Sequence, residues 1–314
     1  MTLLGVLNKF AEEYLKKLGE YRETKYRPRE REERSYRDEW KRELIENLSK
    51  LEFDCGKASM LLKEVVNGEL SLKRAVIVIY ASLSSKGLVG IGSGILFSVL
   101  EIGLSWDYVL DLPVIPGSAV KGATRNLTLD LCANLRDNEA RHKCFEFVVR
   151  LFGWVESPSE SEVRELELLG FDKSYIINIA KKGLGGQGLV VFHDAYPVAD
   201  KPPGKCTLLE PLVITPHYGS DVEDEYNVKP NPLPHLALKE GSMFGFIVSY
   251  DENAKKCLEA VMKFVGGQLG IKVNDHIVFL SHLVAAALRQ GVGARTSKGY
   301  TSFEVKRIIL YRGG

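Results

Sequence analysis

The chain has no transmembrane-length apolar run, no C-x-x-C pair and no H-x-x-x-H tract. Each absence excludes something. A membrane-spanning helix needs about 18 or more consecutive apolar residues. The run Ala75–Ala81, between Arg74 and Lys86, has only the length of a strand. Five cysteines, at 55, 132, 144, 206 and 257, are widely scattered. An odd count at such spacings predicts neither a disulfide framework nor a zinc ribbon. Six irregularly spaced histidines predict no metal site, and nothing in the sequence calls for a cofactor. The phosphate-cradling G-x-x-x-x-G-K-[ST], the nucleophile elbow G-x-S-x-G and a paired-carboxylate motif are all missing. The first ten residues lack the basic-then-apolar pattern of a secretory leader, and the expected compartment is cytoplasmic. Excess charge is scarce too. Lys and Arg number 42 against 41 Asp and Glu, a net +1. The chain as a whole therefore exerts no strong pull on nucleic acid, and any RNA-binding surface must be a local patch.

What is present suffices for a folded core. The 314 residues are 45% apolar and 26% charged, as expected for one elaborated domain or two small ones. Leu3, Leu4, Leu7, Phe10, Tyr14, Leu15 and Leu18 recur at helical spacing, which predicts an amphipathic helix over 1–19. Residues 20–43 mix basic and acidic side chains densely, as a solvated helix, or as an arm laid on RNA or a neighbouring subunit. A helical pattern resumes at Trp40, Leu44, Ile45, Leu48 and Leu51. The expected division is a charged helical extension, 1–70, and a main domain, 71–314.

In the main domain, β-branching predicts a buried strand at Ala75–Ala81. Ser118 has the character of an N-cap for a helix over Ala119–Leu135. Residues 136–187 resist assignment beyond a helix at Phe145–Phe152 and an exposed acidic stretch at 156–167. Leu189–Phe192 and Thr207–Thr215 read as strands. Pro216, Pro230, Pro232, Pro234 and an acidic cluster mark 216–234 as a long loop. His235–Leu238 and Met243–Tyr250 flank Glu240-Gly241, the signature of a hairpin turn. Helices follow over Asn253–Val265 and His276–Gln290, with Gly291 as C-cap, and the last strand spans Tyr300–Tyr311. The succession predicts an α+β fold: a ferredoxin-like, RNA-recognition-like βαββαβ domain with helical insertions and a glycine-rich loop before the last strand.

Two segments could grip a phosphate chain. Gly291-Val292-Gly293-Ala294-Arg295-Thr296-Ser297-Lys298-Gly299-Tyr300 combines three glycines with hydroxyls and two cations. Glycines alone would serve turn geometry. Arg295, Thr296 and Lys298 interleaved among Gly291, Gly293 and Gly299 suit an anionic backbone. In Ile115-Pro116-Gly117-Ser118-Ala119-Val120-Lys121-Gly122-Ala123-Thr124-Arg125, a Pro-Gly bend enters a helix whose first N–H groups are free for anions. Lys121 and Arg125 lie four apart, on one helix face. The expected RNA-binding residues are therefore Gly117, Ser118, Lys121, Arg125, Gly291, Gly293, Arg295, Thr296, Lys298 and Gly299, with no catalytic residue. Two histidines carry the competing reading. His193 beside Asp194, and His217 beside Tyr218, could act as general base in metal-independent RNA cleavage. In a strand, however, His193 and Asp194 would point to opposite faces, and Asp194 is better suited to anchoring a turn before Pro197.

At these residues the chain resembles the RAMP superfamily of CRISPR-associated proteins. Within it, the chain is most similar to the sixth-named subunit family of the Cmr complex, the type III-B RNA-guided RNA-targeting effector. The likeness rests on Leu112–Gly122, Gly188–Pro197, Thr215-Pro216-His217-Tyr218 and Gly291–Tyr300, occurring in that order. The resemblance implies a ferredoxin-like fold and a non-catalytic structural subunit of an antiviral defence complex. It implies that this subunit holds the 3′ part of the guide CRISPR RNA, with target RNA as a further partner. Its implied partners are the other Cmr RAMP subunits and the small helical subunit, with no membrane contact. The weaker alternative is a guide-processing endoribonuclease.

Overall fold

The densest β-branched run becomes the centre of the structure. In the computed structural model, which describes residues 2–23, 30–92, 94–154, 157–182, 186–199, 204–214, 233–270 and 274–313 (with side chains outside 18–37), Ala75–Leu83 forms strand β1. Ile77, Ile79 and Ala81 face the main core, while Val76 and Val78 enter a second cluster on the opposite face. Burial on both faces explains why the strand reads as an unbroken apolar run rather than an alternation.

Six more strands make up this sheet and a neighbouring ribbon, beginning with β2 (Val190–Phe192), β3 (Tyr196–Pro197), β4 (Leu209–Ile214) and β5 (Leu233–Leu238). They are followed by β6 (Met243–Tyr250) and β7 (Phe303–Tyr311). The main sheet runs β7-β1-β6-β2, with β3 also on β6, and every pairing is antiparallel. Phe244 sits opposite Ala81, Phe303 opposite Leu83, and Val248 opposite Phe192. A bulge between Val305 and Arg307 interrupts the outer strand.

The helices are α1 (Leu3–Glu23), α2 (Glu30–Ser49), α3 (Cys55–Ser71), α4 (Gly94–Leu100) and α5 (Gly117–Ala133). They continue with α6 (Asn138–Phe152), α7 (Glu160–Leu168), α8 (Lys173–Lys181), α9 (Glu252–Val265) and α10 (His276–Gln290). Side chains of α5, α6, α9 and α10 fill the main core beneath one face of the sheet. On the other face lies α3, whose Leu62, Val65, Val66 and Leu70 pack on Val76, Val78 and Ile247. The N-terminal helices join the main core through Leu3, Val6, Phe10, Leu44 and Leu48. Trp40 Nε1 donates to Phe10 O at 3.0 Å, and Leu3 N donates to Asp111 Oδ2 at 3.1 Å.

Four sequence expectations need correction. The expected hairpin between His235–Leu238 and Met243–Tyr250 does not form. The 240–241 turn is present, but β5 pairs with β4, while both edges of β6 are taken by β1 and by β2 and β3. For the same reason the 207–215 strand lies in a two-stranded ribbon outside the main sheet. Ser118 is not the N-cap of α5, because the helix begins one residue earlier, at Gly117. Finally, two disulfides exist: Cys55–Cys206 and Cys132–Cys144, with Cα–Cα separations of 6.1 and 5.7 Å. Chain spacing hid them because Cys55 pairs 151 residues away, and because Cys132 and Cys144 meet only when α5 and α6 pack together; only Cys257 is free, and it is buried. Among the described residues, no helix is long and apolar enough to cross a membrane.

Candidate nucleic-acid interface

The glycine-rich segment is a shaped loop fixed at several points. Gly291, at φ +110, ends α10 and donates its N–H to Ala287 O at 3.1 Å. Gly293, at φ +104, presses so close to the 88–89 segment that a Cβ would lie 2.6 Å from Leu88 O. Ala294 N–H then donates to that carbonyl at 2.8 Å. Arg295 itself takes the left-handed conformation, at φ +57, and Thr296–Lys298 makes one 3₁₀ turn that closes at Gly299. Thr301, also left-handed at φ +56, accepts the Leu88 N–H at 2.8 Å and donates its own to Lys86 O at 2.9 Å. Held this way, Ser297, Lys298 and Gly299 stand exposed. Among the described residues, no carboxylate pairs with Arg295 or Lys298, and the N–H groups of Arg295, Thr296 and Ser297 have no partner. Unsatisfied N–H groups at a helical turn, with cations beside them, form an anion-attracting concavity.

Two residues that the sequence did not single out stand behind the loop. Lys86 Nζ reaches Pro211 O at 3.4 Å and lies 4.0 Å from Glu210. His235 is fully buried, with Nδ1 3.3 Å from Leu233 O and Nε2 unpartnered. Burial pushes its pKa down, and the nearby Arg295 and Lys86 push it further. The only sequence signal for Lys86 was its position just past the end of a strand; His235 gave none.

The second segment has a different character. Gly117 approaches β2 so closely that a Cβ would overlap the Phe192 carbonyl. Its N–H is already donated to Asp194 Oδ1 at 2.7 Å. Glycine is required here by backbone contact, and Asp194 caps α5 across the fold from 77 residues away. Lys121 and Arg125 do share a face of α5, and each depresses its pKa chiefly through burial; Lys121 is lowered further by Arg125. Opposing this, Glu162 and Glu165 of α7 raise the Arg125 pKa. The entrance of α5 is thus cationic at Lys121 and grades into an acidic wall beyond Arg125.

Backbone hydrogen bonds link the two segments. Ala294 bonds Leu88, Ser105 N donates to Val89 O at 2.9 Å, and Val114 N donates to Ser105 O at 3.0 Å. Ile115 and Ala195 exchange bonds of 3.0 and 2.8 Å, next to the Asp194 cap. Three such strand-like steps place the loop backbone roughly 15 Å from Val114.

Of the two histidines, His217 lies outside the described residues. His193 is turned to the α3 face, where its Nε2 sits 3.3 Å from Glu69 Oε1. Glu69 also accepts from Ser249 Oγ at 2.6 Å and Arg74 Nη1 at 2.9 Å. Burial raises the Glu69 pKa, but those two bonds together with the charges of His193 and Arg74 outweigh it and leave the group below the ordinary carboxylate value. Burial lowers the His193 pKa. This cluster fastens α3 to the sheet. Among the described residues there is no grouping of side chains fit to hold a metal ion.

A sequence profile of the RAMP superfamily matches residues 82–304, from the end of β1 into β7, and so spans both segments. This chain belongs to the RAMP superfamily. Among curated RAMP relatives, it is 25% identical to a Saccharolobus solfataricus protein described as CRISPR system CMR subunit Cmr6, over 80% of this chain. It is 30% identical to a Pyrococcus furiosus protein described as CRISPR system Cmr subunit Cmr6, over 69% of this chain. The chain spans 64% of the length of each of these relatives. A chain in a cryo-EM structure of a type III-B Cmr-beta bound to cognate target RNA shares the fold. Its TM-score is 0.61 at 23% identity, covering 92% of this RAMP chain and 79% of that one.

Proposed function

We propose that this RAMP protein is a non-catalytic, RNA-binding structural subunit of a type III-B CRISPR effector complex acting in the cytoplasm. In this reading it holds the sugar–phosphate chain of the 3′ part of the guide RNA, near the target strand. It contacts the neighbouring RAMP subunits and the small helical subunit. The sheet order β7-β1-β6-β2, with α5 after the first strand and α10 before the last, supports a ferredoxin-like core for residues 71–314, preceded by a helical extension.

The observation that carries the proposal is the 291–301 loop. Two non-glycine residues, Arg295 and Thr301, are held at positive φ, and cations without an ion pair among the described residues stand beside N–H groups with no partner among them. Strain of this kind persists only where the surroundings enforce it, and it clusters at ligand clamps. A guide differs from one complex to the next, so the grip should fall on phosphate and ribose rather than on base edges. His193, committed to Glu69 under α3, gives the nuclease alternative no support.

The test is the triple replacement of Lys121, Arg295 and Lys298 by alanine. RNA affinity should fall, and each lost phosphate contact should flatten the slope of log K against log salt by about 0.7. Unchanged RNA affinity together with intact assembly would remove the proposal.

A further inference from the structure

Trp154 is only 8% exposed, yet among the described residues its indole Nε1 has no hydrogen-bond acceptor. Arg125 Nε is likewise buried without a partner, and its guanidinium makes no ion pair among the described residues. Both side chains line one cavity of about 350 Å³ beside α5 and α7, together with Asn126, Asp130, Glu162 and Glu165. Buried donors are almost always satisfied in native proteins, so two orphans lining one cavity point to an acceptor supplied from outside. The carboxyl groups that share the cavity limit what that acceptor can be. A simple anion would meet the indole and guanidinium but be repelled by three carboxyl groups, and a simple cation would face the reverse problem. A neutral planar group carrying acceptors on one edge and donors on another satisfies both kinds of lining group. Guanine does so, with O6 and N7 as acceptors for the guanidinium and the indole N–H, and its N1–H and amino group as donors to the carboxylates.

We propose that this cavity takes one unpaired guanine base from an RNA strand whose backbone passes Lys121. The proposal rests on the RNA-binding reading above. Lys121 and Arg125 are one helical turn apart, about 6 Å along α5. That rise is comparable to the offset between a phosphate and its own base. Unstacked bases seated in protein pockets are the usual means by which single-stranded RNA is read.

The experiment titrates the full chain, labelled with nitrogen-15, with GMP, AMP, CMP and UMP, following the Trp154 indole N–H resonance. GMP should shift that resonance saturably, about tenfold more tightly than the other three. Glu162→Gln combined with Glu165→Gln should abolish the preference. Glutamine at 162 still offers an oxygen to the Ser159 N–H that Glu162 accepts at 2.8 Å, so α7 keeps its capping box. A Trp154 resonance unmoved by any nucleotide, or moved equally by all four, overturns the inference. So does a resonance that moves only when neighbouring protein subunits are added without RNA, which would identify the occupant as a protein side chain. Salt-sensitive RNA binding with a silent Trp154 would defeat this inference alone. Failure of the earlier reading shows instead as RNA affinity indifferent to Lys121, Arg295 and Lys298.

Discussion

Arg295 and Thr301 bear the conformational cost of the loop before the last strand. A β-branched residue at φ +56 is disfavoured by about 1–2 kcal/mol. It is retained because Thr301 is fully buried and satisfies the Leu88 N–H and the Lys86 carbonyl. Gly293 meets the same demand without a side chain. Replacing Gly293 with alanine would force a Cβ to 2.6 Å from Leu88 O at φ +104. The expected loss is on the order of 1–3 kcal/mol in denaturant unfolding, with weaker RNA binding. A variant as stable as the parent would show that the 86–89 contact is dispensable. The residue types of this site were legible in the sequence. The backbone demand was not, because positive φ at an arginine and a threonine has no compositional mark. Trp154 and its cavity left no trace either, since the residue lies in a stretch without clear periodicity.

At the level of elements, α9 and α10 were readable because their apolar positions recur at helical spacing and Asp251 and Asp275 cap them locally. The start of α5, expected at Ala119, falls two residues earlier at Gly117, and its cap was assigned to the wrong side chain. The sequence near Ser118 carries a suitable hydroxyl, whereas the acceptor that bonds the helix is Asp194. Local chemistry cannot reveal a cap supplied from 77 residues away. Asp194→Ala should therefore destabilise the protein by about 0.5–2 kcal/mol, and Asp194→Asn, which keeps an oxygen, should recover most of it. Equal unfolding midpoints for the alanine variant and the parent would refute the capping role. The pairing of β4 with β5 was hidden for a related reason. Both strands looked competent for the main sheet, and only the occupied edges of β6 exclude them.

Across the whole molecule, one disulfide pins the consecutive helices α5 and α6 together and the other joins elements far apart in the chain. Cys55–Cys206 spans 151 residues and ties the start of α3 to the far side of the sequence. Replacing both cysteines with serine should lower stability by about 2–5 kcal/mol, an effect that reductant should reproduce in the parent protein. An unfolding midpoint indifferent to reductant would contradict this. The helix so anchored lies across the sheet face that open β-sheet RNA modules use as a stacking platform. With that surface roofed over, the proposed grip by the loop and the α5 entrance would take an RNA strand from the side. Most of its bases would then face outward with their pairing edges unobstructed, so that a complementary strand could zip onto them without displacing the protein.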